Sequence, residues 1–329
     1  MLTQHFTVDE LVAAVAILRS GGTVALPTET VYGLAANALD AAAVEKIFAA
    51  KRRPHWDPLI VHVSDFEMLR KVVREVPERA QALMDAFWPG PLTLLLPRHR
   101  DLPLAVTAGR DLVGVRMPAH PVALKLIRLS GLPLAAPSAN LFGHVSPTSA
   151  AHVLADLDGA IDAIVDGGVT EFGVESTVLD PTTAPMTMYR PGAFTLEQIV
   201  AVAGEAVLYV PAANAEPQSL PSPGVGIRHY APRAPVLLVH DEAELRRAVA
   251  EDPAAGVLLP LDWDTPSAAV VVPWAMWGDS FALAHGLFEG LRRLDALGVG
   301  VIFCPLPEEG SGPMAAAIRD RLMKAAKTA

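Results

Sequence analysis

Four cationic side chains stand near the ends of predicted helices and strands, in otherwise apolar surroundings. Lys51 and Arg53 close a predicted helix. Arg116 interrupts the apolar run LVGVRMP, and Arg190 follows the run MTMY. A buried guanidinium is very costly without an anionic partner. These residue types predict a site that positions an anionic, phosphate-bearing substrate and neutralises its charge, with no evident pair of nucleophile and base.

Hydroxyl side chains occur in the same segments. Polar residues directly follow a short predicted buried strand in TVALPTETVYGL, namely Thr28, Glu29, Thr30 and Tyr32. A turn at this point can present hydroxyls and backbone amides to a ligand. A capped turn without a ligand explains the segment equally well.

Three further hydroxyl or amide side chains lie around predicted tight turns. Ser138, Asn140 and Ser146 precede a helix predicted to begin near Thr148, and Ser176 lies in the segment GVEST. A helix start with hydroxyls nearby can bind an anion, although Ser-Pro-Thr is also ordinary capping chemistry.

Purely structural interpretations remain open for the charged residues. Lys51 and Arg53 can complement the dipole at a helix carboxyl end. His62, in a strand of apolar neighbours, can be a satisfied core residue, and Arg116 can form an internal salt bridge.

Common catalytic motifs are missing from the sequence. It contains no GxxxxGK[ST], GxGxxG, GxSxG or HExxH pattern, so the usual ATPase, dehydrogenase, hydrolase and zincin assignments lose their main support. The single cysteine, Cys304, excludes an intramolecular disulfide and a multi-cysteine metal centre. We therefore expect no protein-held metal.

Strands and helices alternate along the chain, which predicts an α/β fold. Several connections are too short for helical crossovers, so the sheet should be mixed. The expected strands lie at 23–26, 59–63, 92–96, 113–116, 134–136, 163–165 and 178–179, with helices at 41–50, 122–129 and 148–157. A first helix is expected after Thr7, where Thr7 and Glu10 fit a capping box.

Composition changes near residue 211, where a Pro-, Ala- and Ser-rich stretch lacks any helical or strand periodicity. After it, strands at 236–239, 256–259, 269–272 and 299–303 alternate with helices, which predicts a small parallel, Rossmann-like α/β domain. The expected division is a catalytic domain over 1–207, a linker over 208–235 and a second domain over 236–329.

Charge and hydropathy narrow the class of protein. Lys and Arg number 26 against 36 Asp and Glu, a formal charge of −10, in a chain that is 51% hydrophobic. We expect a soluble cytoplasmic protein without a membrane-spanning helix or export signal. The acidic balance argues against a protein whose main task is to grip nucleic-acid phosphates.

The ordered segments PTETVYGL, KRRP, PLIVHV, WPGPLT, VRMPAHP, APSAN, SPT, GVEST and RPG resemble threonylcarbamoyl-AMP synthases of the YrdC type. They extend from Thr23 to about Gly192. The segment SPGVGIRHYAP and the tail resemble the long, two-domain form of that family. The resemblance therefore covers nearly the whole chain and implies a YrdC-like first domain.

This resemblance implies a nucleotidyltransferase that makes L-threonylcarbamoyladenylate and pyrophosphate from L-threonine, bicarbonate and ATP, for modification of tRNA at position 37. Magnesium is expected on the triphosphate. The threonine-binding residues implied by the resemblance are Thr30, His62, Arg116, Ala136 and Ser176. The implied ATP-binding residues are Lys51, Arg53, Asp57, Ser138, Ser146, Arg190 and Tyr230, with Lys51 and Arg53 also assigned to catalysis.

Two implied assignments carry more structural detail. Asn140 is expected to support its turn, and Tyr230 is expected to close over the nucleotide as part of a lid formed by the linker.

Asp57 stands where many relatives carry asparagine, so it could bind magnesium, accept a bond from a ribose hydroxyl, or turn away. Asp320 also departs from the asparagine of many relatives, and no chemistry follows from it.

Two other functions fit the sequence less well than a synthase. A non-enzymatic RNA-binding module predicts excess positive charge in the first domain, but residues 1–207 hold 16 Lys and Arg against 22 Asp and Glu. A carbamoyl-phosphate-using transferase of related fold would lack the linker and tail. The downstream partner expected is the tRNA threonylcarbamoyl transferase machinery, with at most a weak contact to tRNA itself.

Overall fold

The computed structural model describes residues 2–210, 222, 229–264 and 270–326. They form two compact units that are not consecutive in sequence. As far as its residues are described, the first unit comprises Met1–Phe142, Pro147–Thr170 and Glu175–Gly226. The second comprises Gly143–Ser146, Glu171–Val174 and Ile227–Ala329.

The first unit contains a long mixed sheet with helices. Its strands are β1 Gln4–Phe6, β2 Val24–Leu26, β3 Gly33–Asn37, β4 Ile60–His62, β5 Leu92–Pro97, β6 Leu112–Arg116, β7 Leu134–Ala135, β8 Ala163–Val165, β9 Thr177–Asp180, β10 Met186–Arg190 and β11 Ala206–Leu208. Its helices are α1 Leu11–Arg19, α2 Ala41–Lys51, α3 Phe66–Leu69, α4 Glu78–Phe87, α5 Pro121–Ser130, α6 Ala150–Leu157 and α7 Leu196–Ala203, with a 3₁₀ helix at Leu104–Thr107.

The strands pair in the order β1-β8-β2-β3-β7-β4-β6-β5-β9-β10-β11. β4 pairs with β6 and β5 with β9 in parallel, whereas β5 pairs with β6 and β3 with β7 antiparallel. The sheet thus combines parallel and antiparallel pairs. The predicted mixed α/β architecture is confirmed.

Local sequence explains how the helices next to the site begin and end. Asp40 caps α2, since its side chain accepts from the backbone N–H groups of Ala42 and Ala43. The helix stops at Arg52, which adopts a left-handed conformation with φ of 51°. This turn redirects the chain between Lys51 and Arg53.

The predicted capping box at Thr7 forms differently from the expectation. The Glu10 carboxylate accepts from both the backbone N–H and the hydroxyl of Thr7, each at 2.9 Å. However, α1 begins at Leu11, and its N-cap residue Glu10 makes no side-chain cap bond. The Thr7–Glu10 pair therefore closes a turn before the helix rather than capping it.

β3 was not expected, because GLAAN has neither β-branched residues nor alternating polarity. It forms since Gly33 and three small or apolar neighbours fit between β2 and β7, where all but Asn37 are buried. The core of this unit contains the apolar side chains of β2, β3 and α2, among them Leu26, Leu34 and Ile47.

The second unit contains a parallel sheet in the order β12-β15-β13-β14. Its elements are β12 Val236–Val239, α8 Glu242–Glu251, β13 Gly256–Leu259, β14 Val270–Pro273, α9 Ser280–Ala296, β15 Ile302–Pro305 and α10 Ala315–Ala325. Every pair in this sheet is parallel. The predicted small parallel domain is confirmed.

In the part of the chain that the structure describes, no helix is both long and apolar enough to cross a membrane.

Candidate active site

The ends of two neighbouring parallel strands bring His62 and Arg116 together. His62 is the last residue of β4, Arg116 is the last residue of β6, and the two are register partners. Both side chains are buried, at 6% and 3% exposure. Parallel strands present their carboxyl ends at one edge of a sheet, where ligands commonly bind.

Burial controls the charge state of this pair. It holds the pKa of His62 well below its ordinary value, and the neighbouring Arg116 charge lowers that pKa further. Desolvation also lowers the pKa of Arg116, while the Glu29 carboxylate opposes this effect. The edge therefore presents an imidazole that favours its neutral form beside a cation.

Thr30 and Glu29 approach the same guanidinium from the connection between β2 and β3. Arg116 donates from Nη1 to the Thr30 hydroxyl at 2.9 Å. Its Nη2 lies 3.7 Å from Oε2 of Glu29, whose side chain is 2% exposed. The Thr28 hydroxyl lies 2.8 Å from that of Thr30 and donates to the Val31 carbonyl, which fixes the turn.

Lys51 ends α2 with its side chain fully enclosed. The ammonium donates to the backbone carbonyls of Ser138, at 2.6 Å, and Asn140. Burial holds the pKa of Lys51 well below its usual value, and the nearby positive charge of Arg53 adds to this. Neutral carbonyl partners leave the charge of this amine uncompensated by a direct ion pair.

Arg53 and Asp57 form a buried ion pair one turn further along the chain. Arg53 Nη2 lies 3.0 Å from Asp57 Oδ2, and the guanidinium also donates to the carbonyls of Asp57 and Pro58. Burial raises the pKa of Asp57, although Arg53 opposes this shift. Of the alternatives left open for Asp57, the structure places its carboxylate against Arg53. A contact between Asp57 and ATP stays a prediction.

Arg190 and Ser176 connect β10 to the residue before β9. Arg190 donates from Nε to the Ser176 carbonyl at 3.0 Å and from Nη2 to the Ser176 hydroxyl at 3.1 Å. The Thr93 hydroxyl of β5 lies 2.8 Å from the same Ser176 oxygen. This network fixes the Ser176 side chain between two strands.

The turn after β10 approaches this network very closely. A Cβ atom on Gly192 would lie 2.2 Å from the Thr177 backbone nitrogen and 2.6 Å from the Ser176 carbonyl carbon. Real Cβ atoms do not approach backbone so closely. Glycine is therefore required for the RPG turn to pack against GVEST.

The positive charge of Arg190 acts on both Arg116 and Asp57. It lowers the pKa of Arg116 and that of Asp57, after the larger effects of burial and of their direct partners. Its guanidinium consequently lies within electrostatic range of both the strand-end pair, His62 and Arg116, and the Arg53–Asp57 pair. The buried cations share one region of the first unit.

The loop after β7 supplies the remaining expected residues of this unit. Ala136 donates its backbone N–H to the Ile60 carbonyl at 2.9 Å, and its side chain is buried. Ser138 forms an isolated bridge with Gly33. Asn140 donates from Nδ2 to the Leu141 carbonyl at 2.7 Å, a contact consistent with its expected support of the turn.

Two expected ATP-binding residues, Ser146 and Tyr230, fall in the second unit. The Ser146 carbonyl accepts from Arg292 at 3.4 Å. The buried Tyr230 ring stacks on Phe288, with centroids 5.6 Å apart, and lies 5.3 Å from the Arg321 guanidinium carbon. The roles assigned to both residues stay predictions.

More than half of the predicted lid segment, the linker 208–235, lies outside the described residues. The structure does not describe residues 211–221 and 223–228. Closure of this segment over a nucleotide therefore stays a prediction.

Within the described ranges, no group of three or more His, Cys, Asp or Glu side chains is arranged to hold a metal ion. The ionisable side chains around the site are mainly cations, namely Lys51, Arg53, Arg116 and Arg190. Such a set suits an anionic ligand better than a protein-bound cation.

Sequence reasoning gave no role to Glu29, Thr28 or Thr93. Glu29 lies in a segment that was predicted to present hydroxyls to a ligand. Its carboxylate directly after a buried strand could have indicated a functional role. No comparable signal marks Thr93, since a threonine within an apolar strand is common. Its contact with Ser176 arises from the pairing of β5 with β9.

Comparisons with known families cover the chain almost completely. A family model for Sua5, YciO and YrdC, described as "Telomere recombination", matches residues 16–192. A second, described as "Threonylcarbamoyl-AMP synthase, C-terminal domain", matches residues 194–327.

Individual relatives resemble both parts of the chain. Threonylcarbamoyl-AMP synthase of Pyrococcus abyssi is 44% identical over 323 residues, covering 95% of this chain and 92% of the relative. The protein of the same name from Bacillus subtilis is 44% identical over 326 residues, covering 96% and 93%. The crystal structure of P. abyssi Sua5 complexed with L-threonine has a TM-score of 0.90 at 41% identity, covering 99% of this chain and 98% of that one.

Proposed function

The chain belongs to the threonylcarbamoyl-AMP synthase family, and we propose that it makes L-threonylcarbamoyladenylate and pyrophosphate from L-threonine, bicarbonate and ATP. In this reaction it acts as a nucleotidyltransferase that transfers the adenylyl group to a carbamate. The product supplies the modification of tRNA at position 37.

The observation that carries this proposal is the pair of buried cations with neutral partners. In the described residues, Lys51 donates to two carbonyls, and Arg190 donates to the carbonyl and hydroxyl of Ser176. Neither forms an ion pair there. The Asp57 carboxylate acts on both at longer range, but it is shared with Arg53. An anion that enters the site can therefore gain further electrostatic stabilisation from these side chains. The triphosphate of ATP is such an anion.

The strand-end pair supports threonine binding beside the triphosphate. Arg116 has a planar fork that can bind the threonine carboxylate by two parallel bonds. Thr30, His62 and Ser176 supply groups that can bond the amino acid hydroxyl or its carboxylate, and Ala136 supplies backbone at the same edge. The related P. abyssi structure is complexed with L-threonine, which supports threonine as the ligand.

Positioning and charge neutralisation account for the chemistry. The threonine amine and bicarbonate form N-carboxythreonine and water. A carbamate oxygen then attacks the α-phosphorus in line, forming a new P–O bond while the bond to pyrophosphate breaks. Lys51, Arg53 and Arg190 bind the phosphates and spread the charge that develops on them. No covalent intermediate with the enzyme is required.

Magnesium enters this scheme with its substrate, as MgATP. It neutralises charge on the phosphates and keeps several of its own water ligands, as magnesium usually does at nucleotide sites. In this proposal the metal is held by the phosphates, while the Asp57 carboxylate lies against Arg53.

The second unit and the linker complete the proposal. Ser146 and Tyr230 contribute to ATP binding, with Tyr230 shielding the mixed anhydride from water as the linker closes. The catalytic part spans 1–207, the linker 208–235 and the second domain 236–329. The protein acts in the cytoplasm and passes the adenylate to the tRNA threonylcarbamoyl transferase machinery, with at most a weak contact to tRNA.

A non-enzymatic RNA-binding module is the disfavoured alternative. It predicts an excess of positive charge in the first domain, whereas residues 1–207 hold more Asp and Glu than Lys and Arg. The relatives that match along the whole chain are named as synthases.

Pyrophosphate release tests the function directly. We expect release from MgATP only when L-threonine and bicarbonate are both present, with the adenylate identified by mass spectrometry. Omitting each component in turn supplies the controls. Release at an unchanged rate without threonine would refute the synthase assignment.

A further inference from the structure

Glu29 is a buried carboxylate that the scheme above does not use. Its side chain is 2% exposed, and within the described structure neither Oε1 nor Oε2 has a hydrogen-bond partner. A carboxylate normally accepts several hydrogen bonds when it is removed from water. Its nearest cation is Arg116, and their 3.7 Å separation is too long for a hydrogen bond.

Arg116 is also the group proposed to bind the threonine carboxylate. Its Nη1 bonds Thr30, while Nη2 faces Glu29 at ion-pair range. In an α-amino acid the ammonium is attached to the carbon next to the carboxylate. A ligand held by this guanidinium therefore places its ammonium a short distance from the guanidinium nitrogens, in the range where the Glu29 oxygens lie.

We propose that Glu29 receives the threonine ammonium and takes the proton that must leave before the nitrogen is carboxylated. The inference rests on the proposed use of threonine. Arg116 and Glu29 together would match the two opposite charges of an amino acid, and the hydrogen bonds that the Glu29 oxygens lack would be formed with the ammonium.

The proton transfer balances the first chemical step. An ammonium has no lone pair, so it cannot react with bicarbonate. One N–H proton passes to a Glu29 oxygen, which leaves a neutral amine and a neutral carboxyl group. The amine and bicarbonate then give the carbamate and water, and Glu29 returns its proton to solvent before the next turnover.

The surroundings of Glu29 allow this role. The charged and titratable groups near it include Arg116 on β6 and, through Arg116, His62 on β4 and Arg190 on β10. Burial and the Arg116 charge disfavour protonation of His62. Among these groups Glu29 is the anion, so it is the one suited to bind an ammonium and accept its proton.

The experiment compares two ligands that differ only in the ammonium. L-threonine and (R)-3-hydroxybutanoate share the carboxylate and the hydroxyl, and their binding to the full-length protein is measured by calorimetry without ATP. Glu29→Gln removes the charge at nearly constant volume. Glu67→Gln, which removes an exposed carboxylate of the same unit, is the matched control.

We expect Glu29→Gln to weaken threonine binding roughly 10- to 100-fold, the usual effect of losing a hydrogen bond to a charged group. Binding of 3-hydroxybutanoate should stay within about threefold of the wild type, as for changes that touch no contact. Equal weakening for both ligands would mean that Glu29 only holds Arg116 in place, and would overturn the proposal. Unchanged threonine binding would overturn it as well.

Two further arms keep the result decisive. Should Glu29→Gln fail to fold, Glu29→Asp retains the charge on a shorter side chain, and the same ratio of the two affinities is measured. A wild-type protein that binds no threonine would contradict the proposed function itself. A wild type that makes the adenylate beside a fully active Glu29→Gln variant would contradict the role of Glu29 alone.

Discussion

The two units both bury cations, but they give them different partners. In the first unit Lys51 and Arg190 donate to neutral oxygens at the ends of a helix and a strand. In the described part of the second unit, the buried cation is Arg321. It contacts the Asp320 carboxylate at 2.8 Å and lies over the Tyr230 ring.

This difference shows that burial of charge does not by itself mark a functional site. Arg321 has its counter-ion within its own helix, and Lys324 lies 2.6 Å from the same Asp320 carboxylate. An ion pair of this kind between neighbours on one helix serves packing. In the described part of the first unit, Lys51 and Arg190 have hydrogen bonds to neutral oxygens but no direct ion pair, and a bound anion would compensate their charge.

Replacing Arg116 should have the largest effect on ligand binding. We expect Arg116→Ala to weaken threonine binding by on the order of 2–5 kcal/mol, the cost of leaving a desolvated charged partner unpaired. ATP affinity should change much less, because Lys51, Arg53 and Arg190 remain. Calorimetry with each ligand separately measures both effects.

Arg116→Lys should restore little threonine binding, because a lysine ammonium lacks the planar fork. Arg128→Ala, at an exposed position on α5, controls for loss of a positive charge. If Arg116→Ala bound threonine normally but lost ATP affinity, the role assigned to Arg116 would be wrong. Arg116 would then belong with Lys51, Arg53 and Arg190, which are proposed to bind the phosphates.

Replacing Arg321 should affect stability instead of threonine binding. We expect Arg321→Ala to lower the free energy of unfolding of the second unit by about 3 kcal/mol, because a cavity forms and Asp320 loses a partner. Hydrogen exchange followed by mass spectrometry should show the loss in Ala315–Ala325 and around Phe288. A variant with native exchange in α10 but weakened threonine binding would contradict the distinction between the units.

The pH dependence of stability sharpens the comparison with a smaller effect. Burial places the pKa of His62 well below its ordinary value of 6.5. At a pH between the pKa of His62 in the folded protein and 6.5, the unfolded chain binds more protons than the folded protein. The stability that His62 contributes is therefore present above pH 6.5 and is lost as the pH falls. The loss within this window approaches about 1.4 kcal/mol per pH unit.

Denaturant unfolding of wild type and His62→Gln at several pH values measures this contribution. We expect the difference in unfolding free energy between the two proteins to shrink, or change sign, from pH 6.5 downwards. His5→Gln, in the exposed strand β1, controls for the loss of one imidazole. A difference that is independent of pH would show that His62 is not held neutral by burial.

Sequence patterns predicted the strands that position the site but not all of its contacts. Apolar runs that contain His62 and Arg116 indicated β4 and β6, and their parallel pairing then puts the two residues side by side. β3 escaped prediction because its small residues form a strand only between two partners. Strand pairing, which no local pattern encodes, also brings Thr93 to Ser176.

Charge pairing was the least predictable aspect. The sequence left Asp57 with three possible roles, and the ion pair with Arg53 depends on the left-handed turn at Arg52 between them and α2. Glu29 could be seen as polar, but its lack of hydrogen-bond partners depends on every neighbouring element. In the second unit, short apolar runs sufficed, and the two central strands β13 and β15 are buried along their whole length, as is usual in a parallel sheet.

The close packing at Gly192 predicts how this position will behave in a scan of all substitutions. A scan of every substitution, scored by growth or turnover, should rank position 192 among the least tolerant, although glycine has no side chain that could touch a substrate. Any larger residue would push the RPG turn away from the Ser176–Thr177 backbone and so displace the hydroxyl held by Arg190. Intolerance at this position thus reports the spacing between two backbone segments, and evolution can vary the chemistry around it more freely than that spacing.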